Sequence, residues 1–323
     1  MKKILLRKFI IAAVLMILIN SSFLYVSGDL LSNKGDIGFK SPLSSGDFFR
    51  LIFSNDNIRS YRIHIPPSYN NQKPMPLVFV LHGSGVSANS YSTKIYSEMN
   101  KKADEEGFIV VYPNGEILRF SNYLKHPIAF LWDLYSLAFI SREWNRWDDN
   151  NIDDVDFIRN LINHLEMKLN VNSSRIFITG ISGGAMMTYR LGAELSNRIA
   201  AIAPIAGVIG GIGYASEPDD SISPYIIPKP INPIPVIAFN GMQDEAVPYE
   251  GGWKQVFEWN SDELWVYTVS VNESISFWVE NNNCNPVPQI YKSKDERIIT
   301  RIHNNDIDES DVVLVTYIEG GHE

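Results

Sequence analysis

Ser182 stands in a pentapeptide whose spacing is typical of an activated nucleophile. Gly180, Ser182 and Gly184 fit the pattern G-x-S-x-G, in which a strand turns sharply into a helix and strains the serine backbone. Glycines are needed there because only small residues let the flanking chain pass closely. An apolar run at residues 175–179 precedes the motif, and a helix-like run from Ala185 follows it. The pattern predicts a serine nucleophile; a plain glycine–serine loop is the alternative.

A serine nucleophile requires two partners farther along the chain. A serine hydroxyl is protonated at neutral pH, so it needs an imidazole to accept its proton and a carboxylate to orient that imidazole. The motif predicts the order acid, then histidine. Asp244 follows an apolar run at residues 236–240, and His322 follows another at residues 312–318. We therefore assign Ser182, Asp244 and His322 as a catalytic triad.

Other acids and histidines compete for these roles. Glu245 is adjacent to Asp244, Asp262 lies farther along, and Asp244 itself is also typical of a turn. Of the six histidines, His322 has the best position for a base, while His82 precedes a glycine turn and fits a structural role. The other four lie in strand-like, helical or irregular runs: His64, His126, His164 and His303.

Acyl transfer also requires hydrogen-bond donors for a tetrahedral oxyanion. The glycine-containing turn at residues 82–85 follows the apolar run at residues 77–81 directly. We assign the donors to the backbone N–H groups of Ser84 and of Gly183, the residue after the nucleophile. The alternative for this segment is a plain glycine turn.

Strand-like and helix-like runs alternate along the chain. The predicted strands cover residues 61–65, 77–81, 108–112, 175–179, 200–204, 236–240 and 312–318, and the predicted helices cover residues 90–105, 153–169, 185–195 and 274–280. Such alternation predicts an α/β fold with a mostly parallel central sheet covered by helices. In such sheets the site lies at the carboxyl ends of the strands, where the candidate residues fall.

Composition limits the classes of function. The 323 residues are 45% hydrophobic and 20% charged, with a formal net charge of −9, which is typical of a globular enzyme and disfavours nucleic acid as a partner. Cys284 is the only cysteine, so an intrachain disulfide cannot form. No pair of histidines or cysteines has metal-ligand spacing, and HExxH is absent. We expect chemistry without a metal or cofactor.

The amino terminus is typical of a targeting segment. Four basic residues precede an apolar run at residues 9–19, and small residues at 26–28 offer a cleavage site. We interpret residues 1–28 as a signal peptide or N-terminal anchor, residues 29–58 as a linker or N-terminal extension, and residues 59–323 as one catalytic domain. Export is expected, either as a secreted protein or in a periplasmic or membrane-anchored form.

Aromatic residues are concentrated between a predicted strand end and a helix. Eight of them lie in residues 120–147, which predicts either a lid or binding wall for an acyl group or a small satellite core. Trp144 and Trp147 in this segment, and Trp253 after a glycine pair, are the candidate substrate-binding residues.

Several segments in order resemble one known family. They are residues 61–66, 76–83, 111–115, 153–155, 180–184, 248–249 and 320–322. Together they resemble the extracellular esterases grouped with polyhydroxybutyrate depolymerases and feruloyl esterases, from about Arg59 to the end of the sequence. The resemblance implies an α/β-hydrolase fold, the triad assigned above, and an ester substrate from a polymer or the plant cell wall.

The sequence departs from that family in two places. Relatives usually have a tryptophan, a proline and a closing helix after the histidine, whereas this sequence stops at Glu323, so we expect a C-terminal truncation. Relatives often pair a cysteine that here is the lone Cys284. The leading hypothesis is a secreted serine esterase. The alternatives are a peptidase or lipase on the same fold, and a catalytically inactive polymer-binding relative.

Overall fold

The computed structural model describes residues 45–54, 57–84, 93–117, 142–147, 152–259 and 262–322. The predicted leader and most of the aromatic segment at residues 120–147 lie outside these residues. Within them, no helix has both the length and the apolar character that a bilayer span requires.

The described residues form sixteen strands and four helices. The strands are β1 (Gly46–Ser54), β2 (Asn57–Ile65), β3 (Met75–Leu81), β4 (Ile109–Pro113), β5 (Glu116–Ile117), β6 (Arg142–Glu143), β7 (Val171–Ile181), β8 (Ala201–Ile205), β9 (Gly210–Ala215), β10 (Tyr225–Ile226), β11 (Val236–Gly241), β12 (Gly252–Trp259), β13 (Asp262–Thr268), β14 (Gln289–Lys292), β15 (Ile298–His303) and β16 (Val312–Tyr317). The helices are α1 (Thr93–Glu106), α2 (Asp154–Lys168), α3 (Gly183–Glu194) and α4 (Val271–Asn281).

The main sheet has ten strands in the order β1-β2-β4-β3-β7-β8-β11-β16-β15-β14. The strands from β4 to β16 in this order pair in parallel, and both margins are antiparallel. The continuous apolar runs of the parallel strands suit burial on both faces. The mostly parallel sheet predicted from the sequence is therefore confirmed.

The helices cover the two faces of this sheet unequally. Ile178, Ile202 and Val236 are in register on one face and fully buried, and α3 packs there, since Gly192 lies against Ile202. On the opposite face, α1 packs over β3 and β4. Among the described residues, that second face is only partly covered over β11 and β16, where Ile237 and Tyr317 remain exposed.

The segment predicted as a linker or N-terminal extension, residues 29–58, contributes a strand to the main sheet. Its last part forms β1, which pairs with β2 along its whole length and extends the main sheet. Phe48 and Ile52 pack toward the core, but Phe49 and Phe53 on the other face are exposed. Because apolar residues occupy both faces, the alternation that marks a half-buried strand is hidden in the sequence.

Candidate active site

Ser182 occupies the turn between β7 and α3. Its backbone has φ 57° and ψ −123°, a region that residues with a side chain rarely adopt. Its N–H donates to Ile205 O at 2.9 Å, and its carbonyl accepts from the N–H of Met186 at 3.0 Å. The strained conformation is thus held by β8 on one side and by the first turn of the helix on the other.

The glycines of the motif are required by close backbone packing. A Cβ on Gly180 would lie 2.6 Å from Gly184 O. A Cβ on Gly184 would overlap His82 O and lie 2.5 Å from Leu81 O. The turn therefore packs directly against the end of β3, and a side chain at either glycine would separate them.

Asp244 and His322 form a hydrogen-bonded pair. Asp244 Oδ2 lies 2.8 Å from His322 Nδ1, while Asp244 Oδ1 accepts from the N–H groups of Ala246 at 2.8 Å and Val247 at 2.7 Å. A carboxylate can only accept, so Nδ1 carries the proton and Nε2 is left to accept one. Glu245, the competing acid, is exposed. Asp244 is the acid that contacts the histidine.

The sheet brings the three candidate residues to the carboxyl ends of its parallel strands. Ser182 follows β7, Asp244 follows β11, and His322 follows β16, and these parallel strands end on the same side. Backbone hydrogen bonds from the β11 loop to Tyr317 O and Gly320 O join the last two loops. Within the described residues, no hydrogen bond links Ser182 to His322. Such bonds often tighten only when substrate is bound.

The turn after β3 lies beside Ser182, the candidate nucleophile. A Cβ on Gly83 would lie 3.5 Å from Ser182 Cβ. A Cβ on Gly183 would lie 3.2 Å from Ser84 N and overlap Ser84 Oγ. The two residues predicted to supply oxyanion donors, Ser84 and Gly183, are therefore in contact next to Ser182.

His82 holds that turn in place. Its Nε2 accepts from the N–H of Gly115 at 2.9 Å, and its Nδ1 lies 2.8 Å from Gly83 O. Because a backbone N–H can only donate, Nε2 is unprotonated and Nδ1 carries the hydrogen. The indole N–H of Trp144 donates to His82 O at 2.9 Å. His82 thus has a structural role, with both ring nitrogens engaged.

Two of the three predicted substrate-binding tryptophans require a correction. Trp144 and Trp147 are 1% and 3% exposed and belong to the main core. Their role is therefore packing, and they do not line an open substrate pocket. Trp253 is half-buried on β12 in the separate sheet β10-β9-β13-β12, where its Nε1 donates to Asp220 Oδ1 at 2.8 Å. The sequence shows where aromatic residues are concentrated but not which way each one points. The remaining aromatics of residues 120–141 lie outside the described residues.

Cys284 is a buried thiol at the end of α4. Its Sγ lies 3.4 Å from Ser310 O, and burial raises the pKa of the thiol to about 11. At neutral pH it therefore carries about one hundredth of the thiolate of an ordinary cysteine. This environment favours packing over nucleophilic chemistry.

Two buried charged groups, Arg146 and Asp154, were not among the site residues predicted from the sequence. Arg146 is 8% exposed, and its Nη1 donates to Ser84 Oγ at 3.2 Å and to Glu143 Oε2 at 2.8 Å. Asp154 pairs with Arg59 Nη2 at 2.5 Å, and burial raises the pKa of its carboxyl against the opposing effect of that guanidinium. In the sequence, Asp153 and Asp154 belong to a segment of the family resemblance and indicate an acidic helix start, and Asp153 is the N-cap of α2.

The fold and the geometry of the site agree with one family of hydrolases. The family model of phospholipases and carboxylesterases matches residues 68–255, more than half of the chain, and the chain belongs to this family. The α/β-hydrolase fold and the esterase resemblance predicted from the sequence are confirmed.

Individual relatives are distant. Feruloyl esterase B of Piromyces equi is 27% identical over 231 residues, which are 72% of this chain and 37% of the relative. The bifunctional acetylxylan esterase/xylanase of Neocallimastix patriciarum is 25% identical over 58% of this chain and 22% of its own length. The acetyl xylan esterase from Aspergillus awamori has a TM-score of 0.50 at 14% identity, covering 85% of this chain and 94% of that one, a likeness of fold alone. The chain spans well under half the length of the first two relatives.

Proposed function

We propose that this protein is a serine carboxylic-ester hydrolase with Ser182 as nucleophile, His322 as general base and Asp244 as the residue that orients His322. The observation that supports this most is the Asp244–His322 hydrogen bond of 2.8 Å at the sheet edge where Ser182 occupies its strained turn. Membership of a phospholipase and carboxylesterase family supports the ester bond as the target.

Acylation begins when Ser182 Oγ attacks the carbonyl carbon of the ester and its proton passes to His322 Nε2. The carbonyl electron pair moves onto oxygen, and the N–H groups of Ser84 and Gly183 stabilise the resulting oxyanion. When this intermediate collapses, the C=O bond re-forms and the C–O bond to the alcohol breaks. His322 gives its proton to the leaving oxygen, and the acyl group stays on Ser182.

Deacylation repeats these steps with water as the nucleophile. His322 Nε2 removes a proton from water as the water oxygen attacks the acyl carbon. The second oxyanion collapses, the bond to Ser182 Oγ breaks, and His322 returns the proton to that oxygen. The products are the free acid and the restored serine, and Asp244 remains a carboxylate throughout.

For the substrate we propose an ester of a plant cell-wall component or a polymer. The names of the relatives support a feruloyl ester or an acetyl ester of xylan as substrate, and the sequence resemblance adds polyhydroxybutyrate. A secreted location is part of this proposal and is supported by the basic and apolar residues of the leader. Comparing the hydrolysis of methyl ferulate, acetylated xylan and hydroxybutyrate oligomers distinguishes these substrates.

The catalytic proposal is tested with a fluorophosphonate probe and p-nitrophenyl acetate. We expect the probe to label Ser182 and the ester to be turned over, and Ser182→Ala to abolish both. Ser174→Ala is the matched control, because this exposed serine lies on the same strand at its opposite end. A folded wild-type protein that neither labels nor turns over would contradict the proposal and favour a polymer-binding relative.

A further inference from the structure

Arg146 makes a partly buried contact with the side chain of Ser84. Donation from the Ser84 backbone N–H to an oxyanion does not require this contact. Arg146 Nη1 lies 3.2 Å from Ser84 Oγ. A guanidinium can only donate, so the Ser84 oxygen accepts this hydrogen bond. The hydroxyl proton of Ser84 is therefore left to donate to another group, and within the described residues no acceptor is found for it.

This hydroxyl occupies a space that is open because residue 183 is glycine. Ser84 Oγ fills the space that a Cβ on Gly183 would occupy, and Ser84 N lies 3.2 Å from the same point. Both the hydroxyl and the N–H of Ser84 therefore border the residue that follows the nucleophile. In a hydrolase with this turn, the substrate oxyanion lies between the N–H groups of these two residues. The Ser84 hydroxyl borders Gly183, one of these two residues.

Arg146 is itself held firmly. Its Nη1 also donates to Glu143 Oε2 at 2.8 Å, and its guanidinium lies 4.8 Å from the centre of the Trp147 ring. Glu143 balances its charge, so the contribution of Arg146 to the site is the fixed hydrogen bond more than a net positive field. A fixed donor on one side of Ser84 Oγ directs the hydroxyl proton to the other side.

We propose that the hydroxyl of Ser84 is a third donor to the oxyanion, beside the two backbone N–H groups, and that Arg146 is a positioning residue that orients it. This inference rests on the proposed esterase function. It makes Ser84 a catalytic residue through its side chain as well as its backbone, and it gives a role to a buried arginine that no motif marks.

Ser84→Ala tests the first part, because it removes the hydroxyl and keeps the backbone N–H. With p-nitrophenyl acetate we expect kcat to fall by about 10²-fold, the cost of one oxyanion donor, with KM little changed. A trifluoromethyl ketone, whose adduct with Ser182 carries an oxyanion, should lose affinity by the same factor as kcat/KM. An unchanged kcat, a change confined to KM, or an unchanged inhibitor affinity would each overturn the inference.

Arg146→Met tests the second part, with Arg146→Lys as the conservative variant that can still donate to Ser84. We expect a lower kcat for Arg146→Met, a partial recovery for Arg146→Lys, and little added loss when Arg146→Met is combined with Ser84→Ala. Fully additive losses would show that Arg146 acts independently of Ser84 and would overturn its positioning role. If Arg146→Met does not fold, Arg146→Lys alone and in combination with Ser84→Ala gives the same comparison.

Ser174→Ala serves again as the matched control for removing a hydroxyl and should leave kcat and the inhibitor affinity unchanged. Failure of the inference is separable from failure of the proposed function. If Ser182→Ala abolishes turnover while Ser84→Ala has no effect, only the third donor is wrong. If Ser182→Ala retains turnover, the proposed nucleophile is wrong.

Discussion

At the scale of single residues, the geometry of the site depends on which side-chain atoms already make hydrogen bonds. Asp244 Oδ1 is occupied by two backbone N–H groups, so only Oδ2 faces His322. The carboxylate is almost fully buried, whereas the His322 side chain is 31% exposed. Asp244 is thus fixed by hydrogen bonds within its own loop, and the His322 imidazole, which we propose exchanges protons, remains accessible.

Replacing the buried acid should have a far larger effect than replacing its exposed neighbour. In Asp244→Asn the amide no longer fixes the His322 tautomer, and we expect kcat on p-nitrophenyl acetate to fall by about 10⁴-fold, as for other triads. Glu245→Gln changes the adjacent exposed acid and should retain nearly full kcat. Comparable losses in the two variants would contradict the assignment of Asp244.

At the scale of elements, the active turn depends on the packing of α3 against the end of β3. The first turn of α3 approaches the carbonyl groups of Leu81 and His82 so closely that only glycine fits at residue 184. The same approach places Ser84 against Gly183. The proposed nucleophile and the predicted oxyanion donors therefore share one backbone contact, and a change that separates the two elements affects both.

Gly184→Ala should disrupt this contact. The new methyl group would overlap backbone carbonyls, which cannot move aside as a flexible side chain can, and we expect a loss of about 3 kcal/mol in the free energy of unfolding. Gly321→Ala is the control for stability, because its Cβ would meet no atom within 4 Å. Urea denaturation measures both variants. A Gly184→Ala protein as stable as Gly321→Ala would show that the packing is looser than described.

At the scale of the whole molecule, a buried polar network joins strand β2 and helices α2 and α3 to the segment that carries Trp144 and Arg146. Arg59 on β2 contacts Asp154 at the start of α2 and stacks over the Phe157 ring at 4.0 Å. Asp154 also accepts from the N–H of Asn145 at 2.7 Å, and Arg190 on α3 donates to Asn145 O at 2.6 Å. The segment that carries Trp144 and Arg146 is thereby tied to a strand and two helices.

Arg59→Met should destabilise the protein in a way that depends on pH. It leaves Asp154 buried without its cation, which costs about 3–5 kcal/mol at neutral pH. Burial already raises the pKa of Asp154, and loss of Arg59 raises it further. The folded state then binds a proton more readily than the unfolded state. The loss in free energy of unfolding relative to the wild type therefore shrinks as pH falls.

Urea denaturation at pH 7 and pH 5 measures this effect. Arg297→Met is the matched control, because its ion pairs with Asp295 and Glu319 are exposed and exposed pairs contribute less than about 1 kcal/mol. If Arg59→Met loses little free energy of unfolding, or if its loss grows as pH falls, the stabilising role of the Arg59–Asp154 pair is contradicted.

Much of the fold was predictable because its signals are local. The glycines around Ser182 and the apolar run before it lie within ten residues. Few backbone conformations are compatible with both a buried strand and a glycine turn directly after it. The order of strands and helices follows in the same way from runs of five to seventeen residues. β1 was missed because Phe49 and Phe53 are exposed apolar residues, which conceal the alternation of an edge strand.

The sequence by itself determined which chemistry to expect: it predicts a serine in a strained turn, and an acid and a histidine that follow strand ends in the expected order. Only the tertiary structure decided which side chains meet. Asp244 and His322 are 78 positions apart, and Arg146 and Ser84 are 62 apart. It also placed Trp144 and Trp147 in the core. Such contacts depend on how parallel strands align their ends and how loops pack between them, and no short segment of sequence carries that information.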